Sequence, residues 1–526
     1  MLARLSLPSD PTLRRVVGLL AISTLARLAL AAIVEPGQDE AYAMAVANLD
    51  QLSWFDHPPL TFWTVATMRA LAAPLFGADV PAFVLRLPFV FAFTATSWAL
   101  FDLTRRFWGA TAGFWALLAL TLAPFFLLSA GSWLVPDGPL LLFLALSART
   151  LAILLFETPT PVRARVLWLT LGLTLGGAGL SKYHAVLFAV AALAFVAGGR
   201  RRGVLASPWP WAAVAIAAIV VAPVAIWNAE NGWVSFLFQA GRGGGAGRPN
   251  WIGFAREILG QLAYLGPWTA IAAVLAAACG LRAERRIDGP AAFLVGLAAL
   301  PIVLFTAVPL LGGAGLPHWQ MPGWLFLLPL LGRAIAVAEA EGRVRIVRLA
   351  RLVAGLAAAL LVVAATAVLA LRLAPPSPQT VARFGLERPL AEATSWTGLV
   401  RALDERGLLA RDAAGRPPIV VAFRWTEAAR LAEALGPRAT VVVFGDDPRG
   451  FAFLSDPRTF FGRDVVLIGR PDTFAAALPA TRRRFARIEE QPPIRVGLDG
   501  APLVELDVAV GRDLRDPPVP PYPKRP

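Results

Sequence analysis

Residues 35–60 read EPGQDEAYAMAVANLDQLSWFDHPPL, and the rest of the chain is organised around them. The stretch carries the adjacent carboxylates Asp39 and Glu40, then Asp56-His57-Pro58-Pro59. One apolar run, residues 13–34, ends just before it, and another, residues 81–103, begins some way after it. Apolar runs of about 20 residues have the length of a helix that crosses a bilayer. No small-residue cleavage site follows a short apolar core in the first run, so a retained span is expected rather than a signal peptide.

The whole composition agrees with a membrane protein. The 526 residues have a mean hydropathy of +0.62, and 16% of them are charged. That leaves too little polar surface for a soluble globular protein of this size. The net charge of +14 comes from arginines clustered in short loops between apolar runs. Such clusters orient spans by the positive-inside rule, so no nucleic-acid partner is expected. Cys279 is the one cysteine, which excludes an internal disulfide and a cysteine metal site.

About eleven spans are expected from periodicity and apolar length. They cover residues 13–34, 81–103, 109–130, 139–156, 166–180, 184–198, 209–227, 261–281, 290–310, 320–335 and 352–373. The stretch to about residue 80 reads as a polar, aromatic-rich loop. Arginine clusters mark the start and every even-numbered exit, whereas the odd-numbered exits carry Asp39, Asp137, Lys182, Glu230 and His318. One topology explains the alternation: N-terminus in the cytoplasm, C-terminus outside, and the unusual polar residues on a shared outer face.

The composition changes after Pro375-Pro376. Three domains are expected: a membrane unit at 1–374, a soluble α/β unit at 375–515, and a disordered proline-rich tail at 516–526. Residues 418–423, 440–444 and 464–468 read as buried strands, and 426–435 as a helix capped by Thr426. A hairpin is expected to turn at Asp499-Gly500.

Neighbours on a helix point about 100° apart, so Asp39 and Glu40 cannot share one task. One can accept a proton from an attacking hydroxyl while the other orients it or binds a cation. An acidic helix start that complements the dipole accounts for the pair as well. Three histidines, His57, His184 and His318, permit a metal site but lack close ligand spacing. Trp133, Trp227, Trp233 and Trp319 fit an interfacial belt.

The motifs DEAYAMAVANLDQLSWFDHPPLTFW and VLRLPFVFA resemble the amino-terminal half of the bacterial family-39-like glycosyltransferases. These are relatives of protein O-mannosyltransferases and of the aminoarabinose and galacturonosyl transferases of lipopolysaccharide. Val135-Pro136-Asp137-Gly138, GLSKYHAVLF (179–188), IWNAENGWVSFLFQ (226–239) and HWQMPGWL (318–325) extend the resemblance over about residues 35–330.

The resemblance implies a mainly α membrane protein with the GT-C fold and a periplasmic C-terminal α/β domain, in a bacterial inner membrane. It implies a sugar donor carried on a polyprenyl phosphate and an acceptor in the envelope: lipid A, a polysaccharide, another lipid or a protein. Asp39 becomes the catalytic carboxylate, supported by Glu40, with Asp137 as the second acid or simply as the cap of its helix. Lys182, His57, Arg86 and Arg242 become candidates for the donor phosphate. His57 stands where aminoarabinose-transferase relatives carry lysine, and it also suits bracing of the Pro-Pro turn. Lys182 can also snorkel, and Arg86 and Arg242 can equally anchor at the interface. Tyr183, Asn228, Glu230, His318 and Trp319 are the candidates for substrate contact. No cofactor is firmly implied beyond a possible divalent cation near Asp39. The rival class is a transporter or flippase of a lipid-linked sugar, which would carry its ionisable groups near the bilayer midplane.

Overall fold

The computed structural model describes residues 9–243, 247–285, 287–374, 376–385, 390, 396–498 and 501–522. Its first half alternates long apolar helices with short connecting ones. The order is α1 (Pro11–Ile33), α2 (Gln38–Val46), α3 (Leu60–Phe76), α4 (Ala82–Leu122), α5 (Pro124–Leu127), α6 (Ser129–Ser132), α7 (Asp137–Phe156), α8 (Pro161–Ser181) and α9 (Ala185–Gly198). There follow α10 (Pro208–Glu230), α11 (Val234–Gly243), α12 (Trp251–Leu265), α13 (Pro267–Glu284), α14 (Pro290–Ala307), α15 (Met321–Ala340) and α16 (Val344–Leu373).

Among the described residues, seven helices are long and apolar enough to cross a membrane: α1, α4, α7, α10, α14, α15 and α16. The bent pair α12–α13, angled by 97°, raises this to eight if counted as one span. The expected number was about eleven, and the difference has physical causes. The 41-residue α4 holds two expected spans, broken at Trp108-Gly109, where Gly109 takes a φ of +84°. The glycine-rich α8 and the 14-residue α9 are helical but less apolar or shorter than a full span. The loop expected up to about residue 80 contains the apolar helix α3, which the polar residues preceding it obscured.

Ion pairs gather at one end of the bundle. Asp102 accepts from Arg105, Arg106 and Arg149, Arg106 also reaches Glu157, and Glu284 pairs with Arg333. These residues lie at the helix ends opposite to those that carry Asp39, Asp137 and Lys182. An apolar groove of about 630 Å³ runs beside them, between α16, α13, α15 and the second half of α4. It contains none of the acids or histidines considered above.

The C-terminal unit contains α17 (Pro378–Phe384), α18 (Thr397–Glu405), β1 (Ile419–Ala422), α19 (Trp425–Leu435), β2 (Thr440–Val443), β3 (Val465–Gly469), α20 (Pro471–Arg482), β4 (Phe485–Leu498) and β5 (Ala501–Leu514). The sheet order is β2-β1-β3-β5-β4. β1 is parallel to β2 and β3, with Ile419 opposite Thr440 and Val465, and β5 is antiparallel to β3 and β4. β1 and β3 are buried along their whole length, as their continuous apolar runs require. Thr426 does not cap α19. The helix begins one residue earlier, after Arg424, with no side-chain cap. The expected turn at Asp499-Gly500 lies outside the described residues.

The sheet unit sits directly on α2. One apolar cluster joins Ala41, Tyr42 and Val46 of α2 to Ala428, Leu431 and Leu435 of α19. Arg430 of α19 donates to the Pro36 carbonyl at 2.6 Å. Within the proline-rich tail, the ring of Tyr522 stacks on Phe55 at 4.0 Å.

Candidate active site

The first helix turn after α1 separates two carboxylates by function. Glu40 is 1% exposed, and its Oε2 accepts from the Gly37 N–H, which starts α2. Arg86 of α4 donates to it twice, Nε to Oε1 at 2.8 Å and Nη2 to Oε2 at 2.5 Å. The Leu134 N–H adds a third segment at 3.0 Å. Arg86 Nη1 donates to the carbonyls of Ala31 and Val34, so the pair ties α1, α2, α4 and the approach to α7 together. This corrects two expectations. Arg86 is fully enclosed and cannot meet a donor phosphate, and Glu40 is fully engaged and cannot assist Asp39 directly.

Asp39, one residue earlier, points the other way and is open to solvent. It stands in a recess of protein, and this enclosure raises its carboxyl above the ordinary carboxylate range, against the opposing Arg449 charge. Asp56, Asp137 and Lys182 also act on it electrostatically. Asp56 is buried, and burial raises its carboxyl despite Arg449 and the Tyr42 hydroxyl, which donates to Oδ1 at 2.9 Å.

Arg449 comes from the C-terminal unit. Its Nη1 lies 3.7 Å from Asp56 Oδ2, and its guanidinium covers the Trp425 ring at 3.9 Å. The residue holds a left-handed φ of 45°, a conformation that costs a non-glycine residue about 1–3 kcal/mol. Its neighbour Gly450 donates its N–H to the Tyr42 hydroxyl at 2.9 Å, and a Cβ there would stand 2.6 Å from that oxygen. Arg242 approaches from α11, over the rings of Trp319 at 4.8 Å and Phe238 at 5.5 Å. Arg449 stands 5.6 Å from the same Phe238 ring, so one phenylalanine spaces the two guanidinium groups.

The rest of the cluster surrounds a buried pair. Lys182 Nζ donates to both oxygens of Asp137, at 2.9 and 3.0 Å. The expected free cation is thus already held by the expected second acid. His57, His184 and His318 are half-buried around it. Enclosure, reinforced by the Lys182 charge, pushes His57 and His318 down to about 3, and pushes His184 well below its ordinary value. In these surroundings His57 is favoured as a neutral ring. His184 packs on Phe305 at 4.5 Å and faces Trp319 at 6.1 Å.

The remaining candidates divide. Trp319 is buried against His184, Phe305 and Arg242, and Trp227 is buried as well, so neither belongs to an interfacial belt. Tyr183 lies beside Phe236 at 5.4 Å. Asn228 is buried, and its amide group accepts from the Ser235 N–H and donates to the Val224 carbonyl. It shapes the turn from α10 into α11 instead of facing a substrate. Glu230 is exposed at the end of α10, with no ion pair among the described residues. No three His, Cys, Asp or Glu side chains converge on a metal position among the described residues.

Sequence reasoning missed Arg449, Tyr42, Trp425 and Tyr522. Asp56 was visible in its motif but carried no assigned role. Tyr522 accepts from the Arg449 N–H and stands beside Asp447 at 3.3 Å, so the tail contacts the cluster directly. Asp446-Asp447-Pro448-Arg449 is an ordinary loop sequence after a strand, and nothing local marks its contact with α2.

Residues 56–227 match the family model described as dolichyl-phosphate-mannose-protein mannosyltransferase. No curated protein matches the sequence significantly. Crystal structures of ArnT from Cupriavidus metallidurans align with 94% of this chain and 97% of their own, at 16% identity. The TM-score is 0.64 for the apo state and 0.62 for the state bound to undecaprenyl phosphate. The archaeal oligosaccharyltransferase AglB from Archaeoglobus fulgidus, in complex with an inhibitory peptide and a dolichol-phosphate, aligns at 12% identity and a TM-score of 0.50. That alignment covers 96% of this chain and 75% of AglB. The resemblance read from the motifs of residues 35–330 therefore holds: residues 56–227 match the mannosyltransferase family model, and nearly the whole chain shares the fold of the ArnT structures.

Proposed function

We propose that this chain is a membrane glycosyltransferase that moves a sugar from a polyprenyl-phosphate donor to a hydroxyl of an envelope lipid, glycan or protein. The reaction takes place on the outer face of the cytoplasmic membrane. The observation that carries the reading is one solvent-accessible carboxylate, Asp39, in a recess that two arginines enter from separate parts of the chain, Arg449 3.7 Å from Asp56 and Arg242 over the Trp319 ring. Support also comes from ArnT, which has this fold and has been crystallised with undecaprenyl phosphate.

In the proposed reaction the acceptor hydroxyl gives its proton to Asp39, and its oxygen bonds to the anomeric carbon. The bond from that carbon to the phosphate oxygen breaks, and polyprenyl phosphate leaves with the electron pair. A single displacement of this kind inverts the anomeric centre. Arg242 and Arg449 stabilise the charge that grows on the departing phosphate, where arginine offers paired donors. The Asp137–Lys182 pair keeps a fixed dipole beneath them, and neutral His57 contributes a hydrogen bond. The groups facing Asp39 include arginines, and among the described residues no third ligand joins Asp39 and Asp56; the proposed reaction is written without a divalent cation. The ionisable groups around Asp39 gather at one end of the bundle, which suits surface chemistry better than the midplane pathway of a transporter.

The test is Asp39→Asn in proteoliposomes supplied with a radiolabelled lipid-linked sugar from cells that express the protein. Transfer should drop by about 100-fold or more, the usual loss on removing a general base. Undiminished transfer would refute the assignment, and passage of the sugar lipid without transfer would support a flippase instead.

A further inference from the structure

The sheet of the C-terminal unit holds a cavity that the reaction above does not use. β1 lies between two parallel neighbours, β2 and β3. The chain leaves β1 through α19 to reach β2 on one side, then returns as β3 on the other. At such a point the connections diverge, and open α/β sheets take ligands in the crevice at the carboxyl ends of the strands. Here the crevice is a cavity of about 730 Å³, within the ordinary range for a small-molecule site. Its walls are the residues just past each strand: Trp425 and Thr426 after β1, Phe444, Asp446 and Asp447 after β2, and Asp472 after β3.

The lining has a definite chemistry. Asp446, Asp447 and Asp472 present acceptors, while Arg424, Arg484 and Thr426 present donors. With three carboxylates against two guanidinium groups, the crevice does not favour an anion. Aromatic walls with polar groups of both senses match a ring that has apolar faces and a hydroxyl rim. Behind the wall, Glu427 is 4% exposed and accepts from the Thr473 hydroxyl at 2.7 Å, which braces the start of α20 against α19.

The crevice also shares residues with the recess around Asp39. Trp425 lines the cavity, carries the Arg449 guanidinium on its ring, and meets the Tyr42 ring at 5.3 Å. Asp447 lies 3.5 Å from Arg449 Nε. We infer that the crevice binds a neutral sugar unit of a glycan acceptor, holding it while a hydroxyl elsewhere on the same acceptor reaches Asp39. The acceptor role rests on the glycosyl-transfer reading, but the binding itself does not.

Full-length protein in nanodiscs, without any donor, is examined by saturation-transfer NMR with methyl α-mannoside, methyl α-glucoside and methyl α-galactoside. Saturation should reach the ring protons of at least one glycoside, and Asp446→Ala/Asp472→Ala should weaken its binding at least tenfold. Both aspartates are exposed, so the variant should unfold at the wild-type temperature. Should it misfold, Ala476→Trp on the exposed side of the cavity fills the crevice and serves as the second variant. No saturation for any glycoside, or equal binding by the folded variants, overturns the proposal. Because no transfer is measured, loss of the reaction assigned to Asp39 would leave this result unchanged.

Discussion

In the proposed reaction Asp39 serves as a base only when ionised, and its enclosure raises the pH at which that happens. The rate against pH should therefore rise through a single acid limb placed above the usual carboxylate value of about 4. His57 and His318, held near 3, stay neutral above that limb and should add no break near 6.5. Measuring kcat/KM from pH 4 to 8 (a range chosen around the reference values) checks this, and a break at the histidine value would contradict it. Arg86 separates the structural role from a phosphate role. Arg86→Met leaves Glu40 charged and buried, at a cost of about 3–5 kcal/mol. Thermal unfolding in detergent should show that loss, with part regained in Glu40→Gln/Arg86→Met. A weaker donor affinity at unchanged stability would restore the phosphate role. The acidic pair was legible because two neighbouring carboxylates beside a span are unusual. Which of them stays free was not, because it depends on an arginine that arrives from α4, 46 residues later.

The helices were legible wherever apolar length alone decided them. Those that failed to read cleanly were α3, hidden behind a polar stretch, and the break in α4, where continuous hydrophobicity masks a turn at Gly109. Strands β1, β2 and β3 stood out as runs of valine and isoleucine between polar segments. Packing between helices is written less openly, in small residues. On α8, a Cβ at Gly172 would stand 2.7 Å from the Ala213 carbonyl, one at Gly176 2.5 Å from Val220, and one at Gly179 2.6 Å from Val221. The spacing lets α10 approach closely along one face of α8, as small residues permit between membrane helices. Gly176→Leu should push the two helices apart and destabilise the protein by about 1–3 kcal/mol. Gly18→Ala on α1, where a Cβ meets nothing within 4 Å, is the matched control and should melt with the wild type.

For the molecule as a whole, the arginine-rich end and the recess around Asp39 lie at opposite ends of the bundle, which argues for the proposed orientation. Cys279 is the chain's one cysteine, so a Cys279→Ser background accepts single reporters. In intact cells with the outer membrane opened, Glu405→Cys on α18 should react with an impermeant maleimide. Gly203→Cys, beside Arg200 to Arg202, should react only after the inner membrane is breached. The reverse pattern would invert the topology. The union of α2 with the sheet unit escaped sequence reading because its partners lie far apart in the chain, as Gly450 and Tyr42 do. Arg449 enters the recess from that late-made unit, which has a consequence for biosynthesis. A ribosome emits Arg449 410 residues after Asp39. On the proposed reading, a product that stops short of Arg449 keeps Asp39 and Arg242 but lacks the second guanidinium, so the recess is complete only once the sheet unit has folded down on α2.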